Sequence, residues 1–184
     1  MLELSILRSL PIPDLTKTRF RWMMQHQPKH VMGTEISSAR VWRLWKGSKS
    51  ITAVAVYEDS STRVRVEEFF RELSRDLGER CELAREMWPV SELRVPQLRA
   101  IASNEASKAD LIIVSVHCGE SLPDEMTAWL DGILKHKPRR HGVLLGLFDP
   151  VYNGPSGALH ATLKSIADKG GMEFLSQTDE SPQD

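Results

Sequence analysis

From Ile51 to Ser176, short and nearly continuous apolar runs alternate with longer amphipathic stretches, and this leaves the chain few folds to choose from. "ITAVAVY" (Ile51 to Tyr57) is a β-branched run of strand length. Val64 to Leu77 follows, with Val66, Phe69, Phe70, Leu73 and Leu77 at helical spacing and Gly78 as the expected cap. "CELAREMWPV" (Cys81 to Val90) is a second strand ended by Pro89, and Leu98 to Ala109 is a helix with Pro96 near its first turn. "DLIIVSV" (Asp110 to Val116) is a buried strand, Ser121 to His136 a helix, and "GVLLGLF" (Gly142 to Phe148) another buried strand. Ser156 to Lys169 is a last helix, stopped by Gly170-Gly171, and "MEFLS" (Met172 to Ser176) a last strand. Apolar strands separated by helices imply a parallel sheet covered on both faces, because a strand with two buried faces has no polar side. With right-handed crossovers, the rhythm predicts a three-layer α/β domain with a five-stranded, doubly wound sheet in the order 2-1-3-4-5.

The 184 residues are 41% hydrophobic and 27% charged, which suits one globular domain with a full core. The longest apolar runs are far too short to span a bilayer, and no secretory signal is read at the start. The two cysteines, Cys81 and Cys118, make no disulfide scaffold, so a reduced, cytoplasmic protein is expected. Charge is unevenly spread. Residues 1–50 carry nine Lys/Arg against three Asp/Glu, a net of +6, and the remainder carry fifteen against twenty-two, a net of −7. Residues 1–50 lack a sustained period and are broken by Pro11, Pro13 and Pro28. They are expected to be a basic, poorly ordered leader and linker, with Trp42 and Trp45 packing back on the domain as the other expectation. The domain is then 51–176, and 177–184 a polar tail. Basic residues interleaved with tryptophans suit an anionic contact, but a nucleic-acid role is not expected from so short a stretch.

Ligands of such a sheet sit beyond the carboxyl ends of its strands. The candidate loops are Glu58 to Arg65, His117 to Pro123 and Asp149 to Gly157. Ser121 and Asp124 have the spacing of a capping box, and Met126, Trp129, Leu130, Ile133 and Leu134 fall on one face of the helix that follows. His117 and Cys118 are neighbours, so in an extended chain their side chains diverge. A Cys–His couple needs hydrogen-bond reach and a third orienting group, and a buried inert cysteine is the simpler reading. No Cys-x-x-Cys or His-x-x-x-His spacing suggests a metal site. Glu58 and Asp59 close the first strand as solvated acids, or as caps of the next helix.

Three resemblances bear on these loops. "VAVYED", "MWPVSEL" and "ADLIIVSVHCGESLPDEMTAWLDGIL" resemble an uncharacterised bacterial family of small flavodoxin-like domains. That likeness implies the fold, and a shared surface at Glu58-Asp59 and His117 to Pro123, with no activity attached. The acid pair after the first strand is similar to a receiver domain, which holds Mg²⁺ there. A receiver also needs an Asp after strand three, where this chain has His117-Cys118-Gly119, and a Lys after strand five, where "MEFLS" has none. Phosphotransfer is therefore not expected.

The third resemblance is to NADPH-dependent FMN reductases. It implies that "SSTRVR" holds the FMN phosphate through Ser60, Ser61, Thr62 and Arg63, at a helix start suited to an anion. It implies that Gly119, Ser121, Asn153 and Gly154 lie by the flavin, the last two in "DPVYNGPSG". The Pro-x-Tyr-Asn element that walls the flavin in that family is absent, and Glu58 and Asp59 would repel a phosphate. The expected function is a ligand-binding or interaction module, with a pocket at Glu58, Asp59, His117, Cys118 and Asp149. An FMN-dependent NAD(P)H oxidoreductase is the alternative. The small-molecule or protein partner is not specified by the residues, and a homodimer is left open.

Overall fold

In the computed structural model, the described residues are 41, 43–117 (Arg80 by backbone alone), 119, 121–136, 142–149 and 157–176. Among the described residues five strands and four main helices alternate: β1 (Ser50–Tyr57), α1 (Ser60–Leu77), β2 (Glu82–Pro89), α2 (Pro96–Lys108), β3 (Leu111–Ser115), α3 (Asp124–Lys135), β4 (Val143–Leu147), α4 (Gly157–Gly170) and β5 (Glu173–Ser176). The sheet runs β2-β1-β3-β4-β5, and every neighbouring pair is parallel. This is the flavodoxin-like order that the alternation predicts. Every residue of β3 and β4 is buried, as their unbroken apolar runs require. The outer strand β2 carries exposed Glu82, Arg85 and Glu86, charges that discourage edge-to-edge pairing. No described helix is long and apolar enough to cross a membrane.

The sheet divides the core in two. On one face Val54, Val56, Ile112, Val114 and Leu144 pack with α2, α3 and α4, and Trp129 of α3 is wholly buried among them. On the other, Ala53, Ala55, Leu111, Ile113, Val143, Leu145 and Leu175 pack with Val66, Phe69, Phe70 and Leu73 of α1. Met126, Trp129, Leu130 and Ile133 are buried on α3, matching the apolar stripe.

Two helix starts differ from the sequence expectation. α1 begins at Ser60, so Ser60 to Arg65 is helical and not a loop. Asp59 is its N-cap. The Asp59 carboxylate accepts from the Ser61 and Thr62 amides, and the Thr62 hydroxyl accepts from the Asp59 amide at 2.8 Å, which completes a capping box. The box expected at Ser121–Asp124 is not formed. Pro123 is the N-cap of α3, with extended φ −52° and ψ 142°. The cause is steric: a residue before proline avoids the helical region, so Leu122 cannot open a helix capped by Ser121. Asp124 and Glu125 instead place two carboxylates in the first turn, where the helix dipole favours them.

Candidate functional site: an ion-pair chain at the carboxyl edge of the sheet

The register aligns Tyr57 with Ser115 and Ser115 with Leu147, so β1, β3 and β4 end level. The residues just beyond those ends therefore meet. They are Glu58 and Asp59 after β1, Val116 and His117 after β3, and Asp149 after β4. The first turns of α1 supply Ser61, Thr62 and Arg65.

His117 is the centre. Its Nε2 lies 2.9 Å from Asp59 Oδ2, and its Nδ1 lies 2.9 Å from Asp149 Oδ2 and 3.2 Å from Asp149 Oδ1. An ionised carboxylate only accepts, so the protonated ring, with a donor on each nitrogen, is the form that satisfies both Asp59 and Asp149. The hydrogen bonds to Asp59 and then Asp149 raise the His117 pKa above its ordinary 6.5, against a smaller opposing effect of burial. The His117 backbone amide donates to Glu58 Oε2 at 3.1 Å, which fixes the direction in which the ring leaves β3.

Asp59 has two tasks, one per oxygen. Oδ1 accepts from the amides of Ser61 at 2.9 Å and Thr62 at 3.0 Å, and from Ser61 Oγ at 2.9 Å. Oδ2 faces the imidazolium. The Thr62 backbone bond, then His117, then Ser61 hold the Asp59 pKa well below the ordinary carboxylate range. Thr62 is fully buried, and its hydroxyl accepts from the amides of both Glu58 and Asp59, at 2.9 and 2.8 Å. Ser115 Oγ of β3 donates to the Thr62 carbonyl at 3.0 Å.

Arg65 closes the arrangement from one turn further along α1. Its Nη1 donates to the carbonyls of Val116 at 3.2 Å and Leu147 at 3.1 Å, and its Nη2 pairs with Asp149. The result is a chain of alternating charge: Asp59, His117, Asp149, Arg65. Its inner end is dry, with the Arg65 side chain 16% exposed, while at its outer end His117 is 42% and Asp59 49% exposed.

The structure thus brings together Glu58, Asp59, His117 and Asp149 of the expected pocket. Of the expected phosphate cradle, Ser60 is exposed, Ser61 joins the cluster and Thr62 is buried in the cap. Arg63 pairs with Glu67 at 2.8 Å on the exposed side of α1. Gly119 is half-buried and Ser121 exposed in the connection to α3. Cys118, Asn153 and Gly154 lie outside the described residues. Arg65 belongs to the site from the end of the expected Glu58 to Arg65 stretch, without a role of its own assigned there, and Ser115 belongs to it from outside the expected residues. The signal for Arg65 was its position four residues after Ser61, which places both on one helix face once α1 starts at Ser60.

This arrangement limits the chemistry. While it is protonated, the His117 ring has no lone pair to take a proton or bind a metal. Among the described residues no group of three or more His, Cys, Asp or Glu is placed to hold a metal ion. The Ser61 and Thr62 amides, which an anion would use at a helix start, are filled by Asp59. A separate groove between α2 and α3, lined among others by Arg99, Ser103, Asp131 and Gly132, shares no residue with the cluster. We place the site at the ion-pair chain because its ionisable groups bond to one another at the carboxyl ends of the strands, whereas the groove, which also carries Arg99, Asp131, Lys135 and His136, runs between two helices. No family model matches the chain, and no curated protein matches it.

Proposed function

We propose that this chain is a ligand-binding or interaction module without phosphotransfer activity, and that its contact surface is the carboxyl edge around His117, Asp59 and Ser61. One observation carries this reading: each charged group at the edge is already paired with another group of the same chain. Catalytic acids and bases are held with pKa values near the working pH, so that a proton can move either way. Here the pairing drives both Asp59 and His117 further into their charged forms, which is the signature of a set ion pair.

In a receiver-like domain the carboxylates after β1 and β3 surround a divalent cation. In this chain the position after β3 is His117, a cation held between Asp59 and Asp149. Built-in positive charge takes the role of an added ion, and the carboxyl acceptor for a phosphoryl group is gone. The outer half of the chain stays open to solvent, where a partner can reach both an acceptor, Asp59, and a donor or acceptor, Ser61.

The test uses the purified full-length protein in two assays. The visible spectrum is recorded before and after addition of FMN, and the intact mass before and after incubation with acetyl phosphate and Mg²⁺. No flavin band, no spectral shift and no gain of one phosphoryl mass are expected. Near-stoichiometric flavin would replace this reading with the FMN-dependent oxidoreductase. Stoichiometric phosphorylation would replace it with a phosphotransfer domain.

A further inference from the structure

The two faces of the sheet are covered unequally. Three helices, α2, α3 and α4, contribute to one core cluster, and of the four helices between the strands α1 alone contributes to the other. Strands lie about 4.8 Å apart, so five of them span about 19 Å, while a helix with its side chains is about 10–12 Å wide. α1 connects β1 to β2 and packs on β1, β2 and β3. Beyond the Arg65 side chain, which reaches the Leu147 carbonyl at the carboxyl end of β4, its width leaves β5 and the amino half of β4 to other cover. Yet on this same face Val143, Leu145, Leu147 and Leu175 are only 1%, 0%, 1% and 4% exposed.

Only two described residues of this cluster lie outside the sheet and α1: Val41 and Trp45. Val41 is helical and 0% exposed. Arg43 and Leu44, in the same turn, are exposed, and Trp45 is half-buried against the cluster. One side of a helical turn therefore faces the core and the other faces water. The turn is also tied closely to the sheet. The Ser48 amide donates to the Trp45 carbonyl at 2.8 Å, and Gly47 takes φ +94°, which glycine adopts without a steric cost. The chain then enters β1 at Ser50.

We propose that the segment carrying Val41 and Trp45 is a docked wedge that supplies the second cover of the α1 face and keeps the β4–β5 half of the sheet dry. A valine with no exposed surface is otherwise hard to place in a terminal leader. The docking also gives the basic residues of this region, Arg43, Lys46 and Lys49, a fixed station near the amino edge of the sheet. That edge is one length of β1, roughly 26 Å, from His117. A partner drawn to those bases and a partner drawn to the His117 edge would thus meet opposite ends of the domain.

The test compares thermal midpoints of full-length variants by circular dichroism. Val41→Asp puts a charge into the cluster, and Leu44→Asp puts the same charge into the same helical turn at a side chain 44% exposed. Val41→Asp is expected to lower the midpoint by roughly 6–12 °C and Leu44→Asp by about 2 °C or less. Equal effects of the two would overturn the proposal. Should Val41→Asp fail to fold, Val41→Ala decides: a loss of roughly 3–6 °C supports the wedge, and a midpoint within about 1 °C of wild type refutes it.

Discussion

His117→Gln removes the cation at the middle of the ion-pair chain and keeps one amide donor for one of its two carboxylates. At pH 6 the wild-type ring is held by two charge-assisted hydrogen bonds of 2.9 Å. Such a bond contributes about 1.5–3 kcal/mol when buried and far less when exposed. With His117 at 42%, Asp59 at 49% and Asp149 at 31% exposure, about 0.5–1 kcal/mol each is the appropriate scale. The substitution should therefore cost about 1 kcal/mol at pH 6, since glutamine recovers part of one bond. The pH dependence is more telling. The folded pKa of His117 lies above its ordinary 6.5, so the ring's contribution is complete below 6.5 and is lost as pH rises through the folded value. Asp59 has the opposite sign. Its folded pKa lies below the ordinary 3.8, so its contribution is present above 3.8 and is lost as pH falls through the folded value. Stability from this cluster should form a plateau between about 4 and 6.5, with an alkaline limb between 6.5 and the folded pKa of His117 that depends on His117 alone. Urea unfolding of wild type and His117→Gln at a series of pH values measures this, alongside NMR titration of the His117 ring. The difference between the two proteins should shrink towards high pH. A constant difference across pH, or a ring that titrates at 6.5 or below, would refute the doubly paired imidazolium.

Other substitutions probe the supports of the chain. Arg65→Ala leaves Asp149 and the carbonyls of Val116 and Leu147 without their shared donor, and should lower unfolding free energy by about 2–3 kcal/mol in urea. Thr62→Val removes the hydroxyl that accepts from two amides at the α1 cap and should cost about 1–2 kcal/mol by the same assay, while Thr62→Ser should retain most of it. Gly132→Ala sets a methyl 2.5 Å from Ser103 Oγ and 2.9 Å from Ser103 Cβ, where α2 and α3 touch. Although alanine favours a helix by about 1 kcal/mol, the clash should win and the thermal midpoint should fall by a few degrees.

The sheet order was legible because β3 and β4 are unbroken apolar runs and the segments between them have helical period. Helix starts were harder. Ser60 to Arg65 is polar on most sides, since its first turns face solvent and the ion-pair chain, so apolar spacing alone delays α1 to Val64. Ser121–Asp124 and Asp59–Thr62 both offer capping spacings, and the proline at position 123 disqualifies the first. Four acids and bases of the site, Glu58, Asp59, His117 and Asp149, were found by asking which residues follow the strands. Their mutual pairing was not visible, because 59, 117 and 149 meet only through the register of β1, β3 and β4. Val41 was harder to read: Val41, Leu44 and Trp45 do stand at helical spacing, but the run is one turn long, between basic residues and ahead of the Gly47 break.

Arg65 joins the carbonyl just past β3 to the last carbonyl of β4, and Ser115 ties β3 back to α1 through the Thr62 carbonyl. A surface stitched in this way has already surrendered its conformational freedom during folding. A partner that docks on the described residues of this edge is spared the entropy of ordering the paired side chains of Asp59, His117 and Arg65. Association there should proceed close to a rigid-body encounter, with affinity among related partners decided mainly by how slowly they leave.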